Sequence, residues 1–266
     1  MSRFVLPAAT AFAAALLLGA CSKSAPTASA PAGSQPSLSN ALSPAAVEQA
    51  AKAAKASNLP QPDLSTPDSA YVDLTKGNQV MFLDAAFSGL PANYDRMAQA
   101  YSSDYRSTSD TFKKHDLLVA LQPKIEAAIA DAKAHPYITW NDEAPFSTMS
   151  RIGHYDFNQK TFADNSIIFL QGGYISFSDN SGYNLAVTNG PAFQQIHVAD
   201  EAKAREIEDL VGKGDQFGKG QALRVKIYAF VQTTDDSGIP TPQAMITKVQ
   251  LLDSHGQVLL EQSAPH

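Results

Sequence analysis

The spacing of apolar residues changes once along this chain, and that change limits the folds it can adopt. Before His135 and Pro136, apolar side chains recur every three or four residues, as they do on one face of a helix. After Pro136 they alternate with polar residues, as they do in half-buried strands. Helices followed by strands are typical of an α+β fold, so we expect N-terminal helices packed on a largely antiparallel β-sheet or barrel.

Three helices are predicted before the change of spacing. The first covers residues 78–88 and stops at a Gly-Leu-Pro sequence, and a short second helix covers residues 92–101. Asp110, or the serine before it, is expected to cap a third helix that runs to about Ala134. Its apolar stripe keeps its phase across Pro123, which predicts one kinked helix rather than two.

The second half of the chain is predicted to consist of strands with one inserted helix. Asp200 is expected to cap that helix and Gly212 to end it. Turns are predicted at Gly172-Gly173, between two strands, and at residues 179–182. The predicted strands cover residues 137–140, 152–157, 166–170, 174–177, 184–188, 193–198, 222–232, 244–252 and 258–261.

The first twenty residues have the composition of an export signal. Arg3 carries their one positive charge, and residues 4–17 form an almost continuous apolar run. That run is long enough for a secretory signal and shorter than the roughly 20 apolar residues that a membrane-spanning helix needs. We therefore expect residues 1–20 to be removed on export.

The residues that follow the apolar run indicate a lipid anchor. Leu18, Gly19, Ala20 and Cys21 resemble the lipobox of bacterial lipoproteins. The resemblance implies cleavage between Ala20 and Cys21 and acylation of the Cys21 thiol with several chains, which hold a protein stably at a membrane. The residue after Cys21 is Ser22 and not an aspartate. In this the sequence resembles lipoproteins that are sorted to the outer membrane and face the periplasm.

The cysteine count and the charge exclude several classes of protein. Cys21 is the only cysteine, so neither an internal disulfide nor a CxxC site can form. Of the 20 basic residues, Arg3 leaves with the signal, and the 19 that remain against 26 acidic residues give a formal charge of −7. An acidic chain argues against nucleic acid as a partner. Membrane attachment is then expected through the lipid on Cys21.

Composition divides the rest of the chain into a linker and a folded body. Residues 21–63 are predicted to be the lipidated cysteine and a linker, since residues 22–43 are rich in Ala, Ser and Pro and bury too little apolar surface to fold. Residues 44–57 have only the propensity for a marginal helix. A helical part over residues 64–136 and a β-rich part over residues 137–263 are expected to pack as one domain.

Short sequences in the body resemble a known group of proteins. The resemblance covers roughly residues 68–262 and is to an uncharacterised family of Gram-negative envelope lipoproteins. That family brings no activity and no catalytic residues to this chain. The sequences are Tyr71-Val72-Asp73-Leu74 with Gly77-Asn78-Gln79-Val80-Met81, Tyr101-Ser102-Ser103-Asp104-Tyr105, and Tyr155-Asp156-Phe157.

His154 and Asp156 are the candidate ligand-binding residues. They stand two positions apart on one predicted strand, so their side chains share a face and could form a metal or acid–base pair. The alternative is an ordinary hydrogen bond at a sheet surface. The sequence contains neither a nucleophile signature nor the histidine spacing of a metal site, so no catalytic residue, metal or cofactor is predicted.

Two loops and a set of aromatic residues are weaker candidates. The glycine-rich residues 212–220 could bind an anion, but they follow a helix C-terminus, where the helix dipole has the wrong sign. Residues 178–184 lack the bidentate acid of a calcium loop and favour a plain turn. Either a core or a stacking platform for sugars is predicted for the aromatic residues Trp140, Tyr155, Phe157, Phe162, Tyr174, Phe177, Tyr183 and Phe193.

These observations predict a membrane-anchored periplasmic lipoprotein with a non-catalytic role in binding or scaffolding. Its expected partner is another envelope protein or a cell-wall glycan. The alternative is a periplasmic hydrolase or transferase whose site is dispersed over the β-sheet. A site with clustered titratable groups would favour the enzyme, and an apolar or aromatic patch would favour binding.

Overall fold

The computed structural model describes residues 58–141, 152–215, 223–235, 239 and 241–265. The predicted signal, lipobox, linker start and marginal helix lie outside these ranges, as do residues 216–220 of the glycine-rich loop. In the described part of the chain, no helix has both the length and the low polarity needed to cross a bilayer. The helices are α1 (Gly77–Phe87), α2 (Tyr94–Tyr101), α3 (Ser103–Ser107), α4 (Thr111–Ala134) and α5 (Glu201–Asp215).

The strands form two sheets. They are β1 (Val72–Asp73), β2 (Tyr137–Asn141), β3 (Ile152–Asp156), β4 (Thr161–Asp164), β5 (Tyr174–Ser176), β6 (Asn184–Val187), β7 (Gln195–His197), β8 (Leu223–Asp235), β9 (Thr241–Asp253) and β10 (Val258–Ser263). Seven of them form the large sheet, in the order β1-β2-β8-β9-β6-β5 with β10 also paired to β9. The small sheet has the order β3-β4-β7.

The α+β prediction is confirmed. Helices α1 to α4 precede most of the large sheet and share its hydrophobic core, and α5 is inserted between β7 and β8. The large sheet is mostly antiparallel, with parallel pairing of β1 with β2 and of β6 with β9. In the described residues the large sheet is open, with β1 at one end and β5 at the other. Of the two predicted alternatives, a sheet or a barrel, the sheet is therefore correct.

The local sequence patterns explain helix α4 and strand β8. Asp110 caps α4 by accepting hydrogen bonds from the N–H groups of Phe112 and Lys113 at 2.9 and 3.0 Å. The helix continues through Pro123, and Ile125 at the centre of its apolar stripe is fully buried. In β8 the predicted apolar face lies in the core. Its residues, each no more than 2 % exposed, are Leu223, Val225, Ile227, Ala229 and Val231.

The strand predicted at residues 166–170 is wrong, because Ile167–Phe169 is a 3₁₀ helix. Asp164 Oδ1 accepts a hydrogen bond from the Ser166 N–H at 2.9 Å and another from the Ser166 hydroxyl, which starts a turn. Ile168 and Phe169 are then both buried. Adjacent residues of a strand point to opposite faces, so a turn buries this pair where a strand against one core would not.

The boundaries of several neighbouring elements also differ from those predicted. Gly172-Gly173 does not connect two strands but leads from the 3₁₀ helix into β5. Residues 190–193 form another 3₁₀ helix, so the strand predicted at residues 193–198 is shorter and corresponds to β7. Helix α5 does not end at Gly212 but runs to Asp215. Among the described glycines, Gly89, Gly172 and Gly256 have the positive φ of a helix-ending or turn residue, and Gly212 does not.

Residues 58–63 at the end of the predicted linker, and the segment after them, are held to the outer face of the large sheet. The Gln232 side chain donates to the Pro60 carbonyl at 2.9 Å, and the Tyr137 hydroxyl accepts from the Asp63 N–H at 2.8 Å. Further along, the Tyr71 hydroxyl lies 2.9 Å from Thr247 Oγ1. These contacts join residues that are distant in sequence, so residues 58–71 pack on the sheet.

Lys248 is the centre of the polar network on this face. Its ammonium lies 2.5 Å from Asp68 and 3.2 Å from Glu261, and 4.5 Å from the centre of the Tyr228 ring. The Lys248 side chain is only 16 % exposed, whereas the two carboxylates are about half exposed. The Gln250 amide donates to Glu261 at 2.8 Å, so the network connects the N-terminal segment to β8, β9 and β10.

Replacing Lys248 with methionine is expected to lower the free energy of unfolding by about 2 kcal/mol. Methionine keeps the apolar stem but leaves Asp68 and Glu261 without their shared cation. The loss is smaller than the roughly 3–5 kcal/mol of a fully buried pair because the carboxylates are partly hydrated. Urea denaturation measures it, and Lys203→Met, which removes an exposed i,i+3 pair with Glu206, is the control with an expected loss below about 0.5 kcal/mol.

The same network predicts a pH dependence. The hydrogen bond from Lys248 lowers the pKa of Asp68 below its usual value. A carboxyl whose pKa is lower in the folded state stabilises the fold above its unfolded pKa of about 3.9 and loses that contribution as the pH falls through the folded value. The difference between the wild type and Lys248→Met should therefore narrow below about pH 4. If the difference in free energy of unfolding between the two proteins stays constant from about pH 7 to about pH 2.5, this prediction is wrong.

Candidate functional site

An open groove of about 350 Å³ lies between strand β3 and helix α5. Strand β3 is at the edge of the small sheet, so one of its sides is open to α5 rather than to another strand. Helix α5 is positioned by its buried residues Ala204, Ile207 and Val211. The groove is mostly apolar, and its lining residues are His154, Tyr155, Phe157, Glu201, Ala204, Arg205 and Glu208.

His154 and Glu208 form the closest polar contact in the groove. The pairing of β3 with β4 shifts its register between Ile152 and Tyr155, so Ile152 is buried while His154 is exposed. On α5, Glu208 follows the buried Ile207. His154 Nδ1 lies 2.6 Å from Glu208 Oε1. The second carboxylate oxygen, Oε2, accepts a hydrogen bond from the backbone N–H of Tyr155 at 2.9 Å. Glu208 is therefore oriented by two contacts with β3.

The two residues proposed from the sequence make different contacts. His154 and Asp156 do share the exposed face of β3. The Asp156 carboxylate, however, accepts hydrogen bonds from the N–H groups of Asn158 and Gln159 at 2.7 and 3.0 Å and so shapes the following turn. Glu208 was missed because it lies 54 positions from His154, and no spacing rule joins them.

Aromatic side chains form one wall of the groove. Tyr155 and Phe157 meet edge to face with ring centres 5.1 Å apart, and the Tyr155 hydroxyl donates to the Val198 carbonyl at 2.7 Å. That hydrogen bond holds Tyr155, while Phe157 is 77 % exposed. The platform of eight aromatics does not form, because five of them are buried in the core: Trp140, Phe162, Phe177, Tyr183 and Phe193.

The charged groups at the rim of the groove each have a polar or charged partner. Arg205 lies 3.9 Å from Glu201, and both side chains are well exposed. Glu208 is engaged by His154 and by the backbone of Tyr155. Such an arrangement offers hydrogen-bonding groups without a strong net charge, so it suits a neutral ligand better than a highly charged one.

The oxygen-rich residues 178–184 have a structural role in the described chain. Asp179 Oδ1 accepts a hydrogen bond from the Gly77 N–H at 2.9 Å, and the Asn180 amide donates to Asn78 at 3.1 Å. The turn is thereby attached to the first residues of α1. Among the residues that the structure describes, no group of three or more His, Cys, Asp and Glu side chains could hold a metal ion.

A second cavity, of about 220 Å³, lies between α1, α2 and Tyr183. Two of its polar residues serve the local fold: Asn93 caps α2 by accepting from the Arg96 N–H at 3.0 Å, and Ser88 Oγ accepts from the Leu90 N–H at 3.2 Å. The Arg96 guanidinium lies over the Tyr183 ring at 5.2 Å. The groove beside β3 is larger and presents the more exposed aromatic ring, so we take it as the candidate site.

Comparisons of the chain with protein-family models, with curated proteins and with solved structures give no match. Its function is therefore inferred from the chemistry of the groove. That groove can stack a ring on Phe157, and it offers hydrogen bonds from Arg205 and to Glu201.

Proposed function

We propose that the protein is a lipid-anchored periplasmic binding protein that holds a cell-wall glycan in the groove between β3 and α5. The observation that carries the proposal is the exposed ring of Phe157 beside the paired polar groups of the same groove. Sugar rings have apolar C–H faces that stack on aromatic rings and hydroxyl edges that need polar partners. A groove with both features suits a saccharide.

The size of the groove supports a glycan over a protein partner. A stable protein interface buries about 800 Å² on each side and 20 to 30 residues. Seven residues of the described part of the chain line the groove, and its volume is about 350 Å³, which suits a short stretch of a glycan chain. The linker predicted from the Ala-, Ser- and Pro-rich residues 22–43 would let the anchored protein reach a polymer at some distance from the membrane.

Replacing Phe157 with alanine is expected to weaken glycan binding about tenfold. The substitution removes the exposed ring, and an aromatic contact contributes about 0.5–1.5 kcal/mol beyond the area it buries, where about 1.4 kcal/mol is tenfold in affinity. The measurement is isothermal titration with a tetramer of N-acetylglucosamine. Phe157 directly follows β3 and lies at the surface. The free energy of unfolding of the variant should therefore stay close to that of the wild type.

The matched control is Phe112→Ala. Phe112 is 84 % exposed on α4 and does not line the groove, so its loss removes an equally exposed ring from another place. Affinity for the tetramer should be unchanged in this variant. An equal loss in both variants, or the absence of binding by the wild type to the tetramer and to isolated cell-wall material, would contradict the proposed function.

A further inference from the structure

We infer that the outer face of helix α4 is an interaction surface for a second copy of this chain, packed with its own α4 antiparallel to the first. This surface belongs to a different element from the groove between β3 and α5, so it is independent of the proposed function. Two features of α4 point to it: an exposed apolar stripe opposite the core face, and the order of the charges beside that stripe.

Helix α4 is apolar on two opposite faces. On its core face Ile125 is fully buried, and Leu118 and Leu121 pack against the core beside it. Surface helices usually carry polar residues on the opposite face, but here that face is apolar at the same helical spacing. Its largest side chains, Phe112 and Val119, are 84 and 59 % exposed. The exposed residues of this outer stripe are Phe112, Val119, Ala120, Pro123, Ala127, Ala130 and Ala134. An exposed apolar stripe of this length is typical of a surface that binds another protein.

The charges beside the outer stripe alternate in sign. Along one side of it the order is Lys113, Asp116, Lys124 and Asp131, and all four residues are exposed. Two antiparallel helices that pack face to face bring the same side of each together, in reverse order. Lys113 then lies opposite Asp131 of the second copy, and Asp116 lies opposite its Lys124, whereas a parallel pair would place like charges together. The charge order therefore favours a second, antiparallel copy as the occupant.

Asp131 can take part in such a pair although it already has a contact within its own chain. Its carboxylate lies 3.0 Å from His135 Nδ1 at the end of α4. The Asp131 side chain is nevertheless 69 % exposed, so a lysine of a second copy can reach it from the solvent side.

The sizes of the side chains suit the same arrangement. Helices that pack at about 20° are closest where they cross and diverge toward their ends. The small residues Ala120, Pro123 and Ala127 lie in the middle part of α4, and the large Phe112 lies at its start, where the space between the helices is wider. A helix of 24 residues presents a face about 36 Å long and about 10 Å wide, which is smaller than the roughly 800 Å² per partner of a standard interface. We therefore expect a weak dimer.

Sedimentation equilibrium of the full chain carrying Cys21→Ala, which removes the predicted site of lipid attachment, measures the association. In about 50 mM salt, where surface charges are only partly screened, we expect a reversible dimer. Lys113→Asp should weaken it about tenfold, because it turns two pairs of opposite charge into two pairs of like charge. Adding Asp131→Lys restores both pairs and should return the dissociation constant to within about threefold of its starting value.

These substitutions are compatible with a folded helix. An acid near the start of α4 and a base near its end complement the helix dipole. A lysine in place of Val119 should abolish the dimer and leave the free energy of unfolding almost unchanged, since Val119 lies at the surface. Phe112→Ala should weaken the dimer, whereas its affinity for the N-acetylglucosamine tetramer should stay that of the wild type, because the tetramer occupies a single groove on β3 and α5.

The control for net charge is Lys213→Asp. It makes the same change of charge at an exposed lysine of α5 and should leave the dissociation constant of the dimer as it was.

Three results would overturn the inference. The first is a monomer at every concentration up to the solubility limit; if Val119→Lys then also lowers the free energy of unfolding, another part of the same chain covers the stripe. The second is a dimer that is insensitive to both Val119→Lys and Lys113→Asp, which would place the interface elsewhere. The third is a dimer that Lys113→Asp weakens and Asp131→Lys does not restore, which would rule out the antiparallel pairing of α4.

Discussion

Replacing Cys21 with alanine is expected to abolish lipid attachment and to release the protein from the membrane. Cys21 carries the only thiol in the chain, and acylation of a lipoprotein requires that thiol. With a formal charge of −7 expected after the removal of residues 1–20, the net charge of the protein does not favour attachment to anionic lipid. Metabolic labelling with palmitate and partition into detergent measure both effects.

The matched control for the anchor is Ser24→Ala, which changes a small polar residue just beyond the predicted lipobox. This variant should incorporate palmitate and enter the detergent phase as the wild type does. Equal labelling of the wild type and Cys21→Ala would contradict the anchor. It would also remove the basis for placing the groove in the periplasm, although not the binding chemistry proposed for it.

Replacing Gly173 with alanine is expected to lower the free energy of unfolding by about 3 kcal/mol. A Cβ atom at this position would stand 2.3 Å from the Ile167 carbonyl oxygen and 2.5 Å from that of Ile168. Both are backbone atoms of the 3₁₀ helix whose last residue, Phe169, is buried in the core, so relief of the clash requires the core to shift. Overpacking of this kind costs about 1–3 kcal/mol or more.

Substitutions at two other glycines distinguish the effect of steric space from the effect of backbone conformation. Gly172 has φ +73°, and a Cβ atom added there would meet nothing within 4 Å, so Gly172→Ala should cost only the roughly 1–2 kcal/mol of a left-handed alanine. Gly153 on β3 would place its Cβ in ordinary contact, 3.6 Å from the Ala163 carbonyl oxygen, so Gly153→Ala should change stability little. Urea denaturation compares the three. A loss at Gly173 no larger than that at Gly172 would contradict the packing argument.

The sequence was most informative where a structure depends on neighbouring residues. The stripe of α4 stays on one face because its residues are three and four positions apart, and Asp110 caps the helix through N–H groups two and three positions away. The alternation of β8 predicts its buried face for the same reason. These patterns were sufficient to predict an α+β fold with an inserted helix.

Local patterns were insufficient where tertiary contacts compete with them. The apolar run at residues 166–170 has the composition of a strand, but the hydrogen bonds of Asp164 to Ser166 and the burial of two adjacent side chains favour a 3₁₀ turn. Strand β4 was not predicted, because its pairing with β3 and β7 stabilises a segment with little alternation of its own. Gly212 continues α5 and does not have the positive φ of a glycine that ends a helix.

In the candidate site, too, one part followed from a local pattern and the other only from tertiary packing. The alternation of β3 predicted from the sequence that His154 and Asp156 share an exposed face, because that depends only on the period of a strand. The partner of His154 is Glu208, and only the packing of α5 beside the open edge of β3 brings the two within 2.6 Å. Periodicity fixes the direction of a side chain along its own element, whereas the neighbour that it meets depends on how distant elements pack.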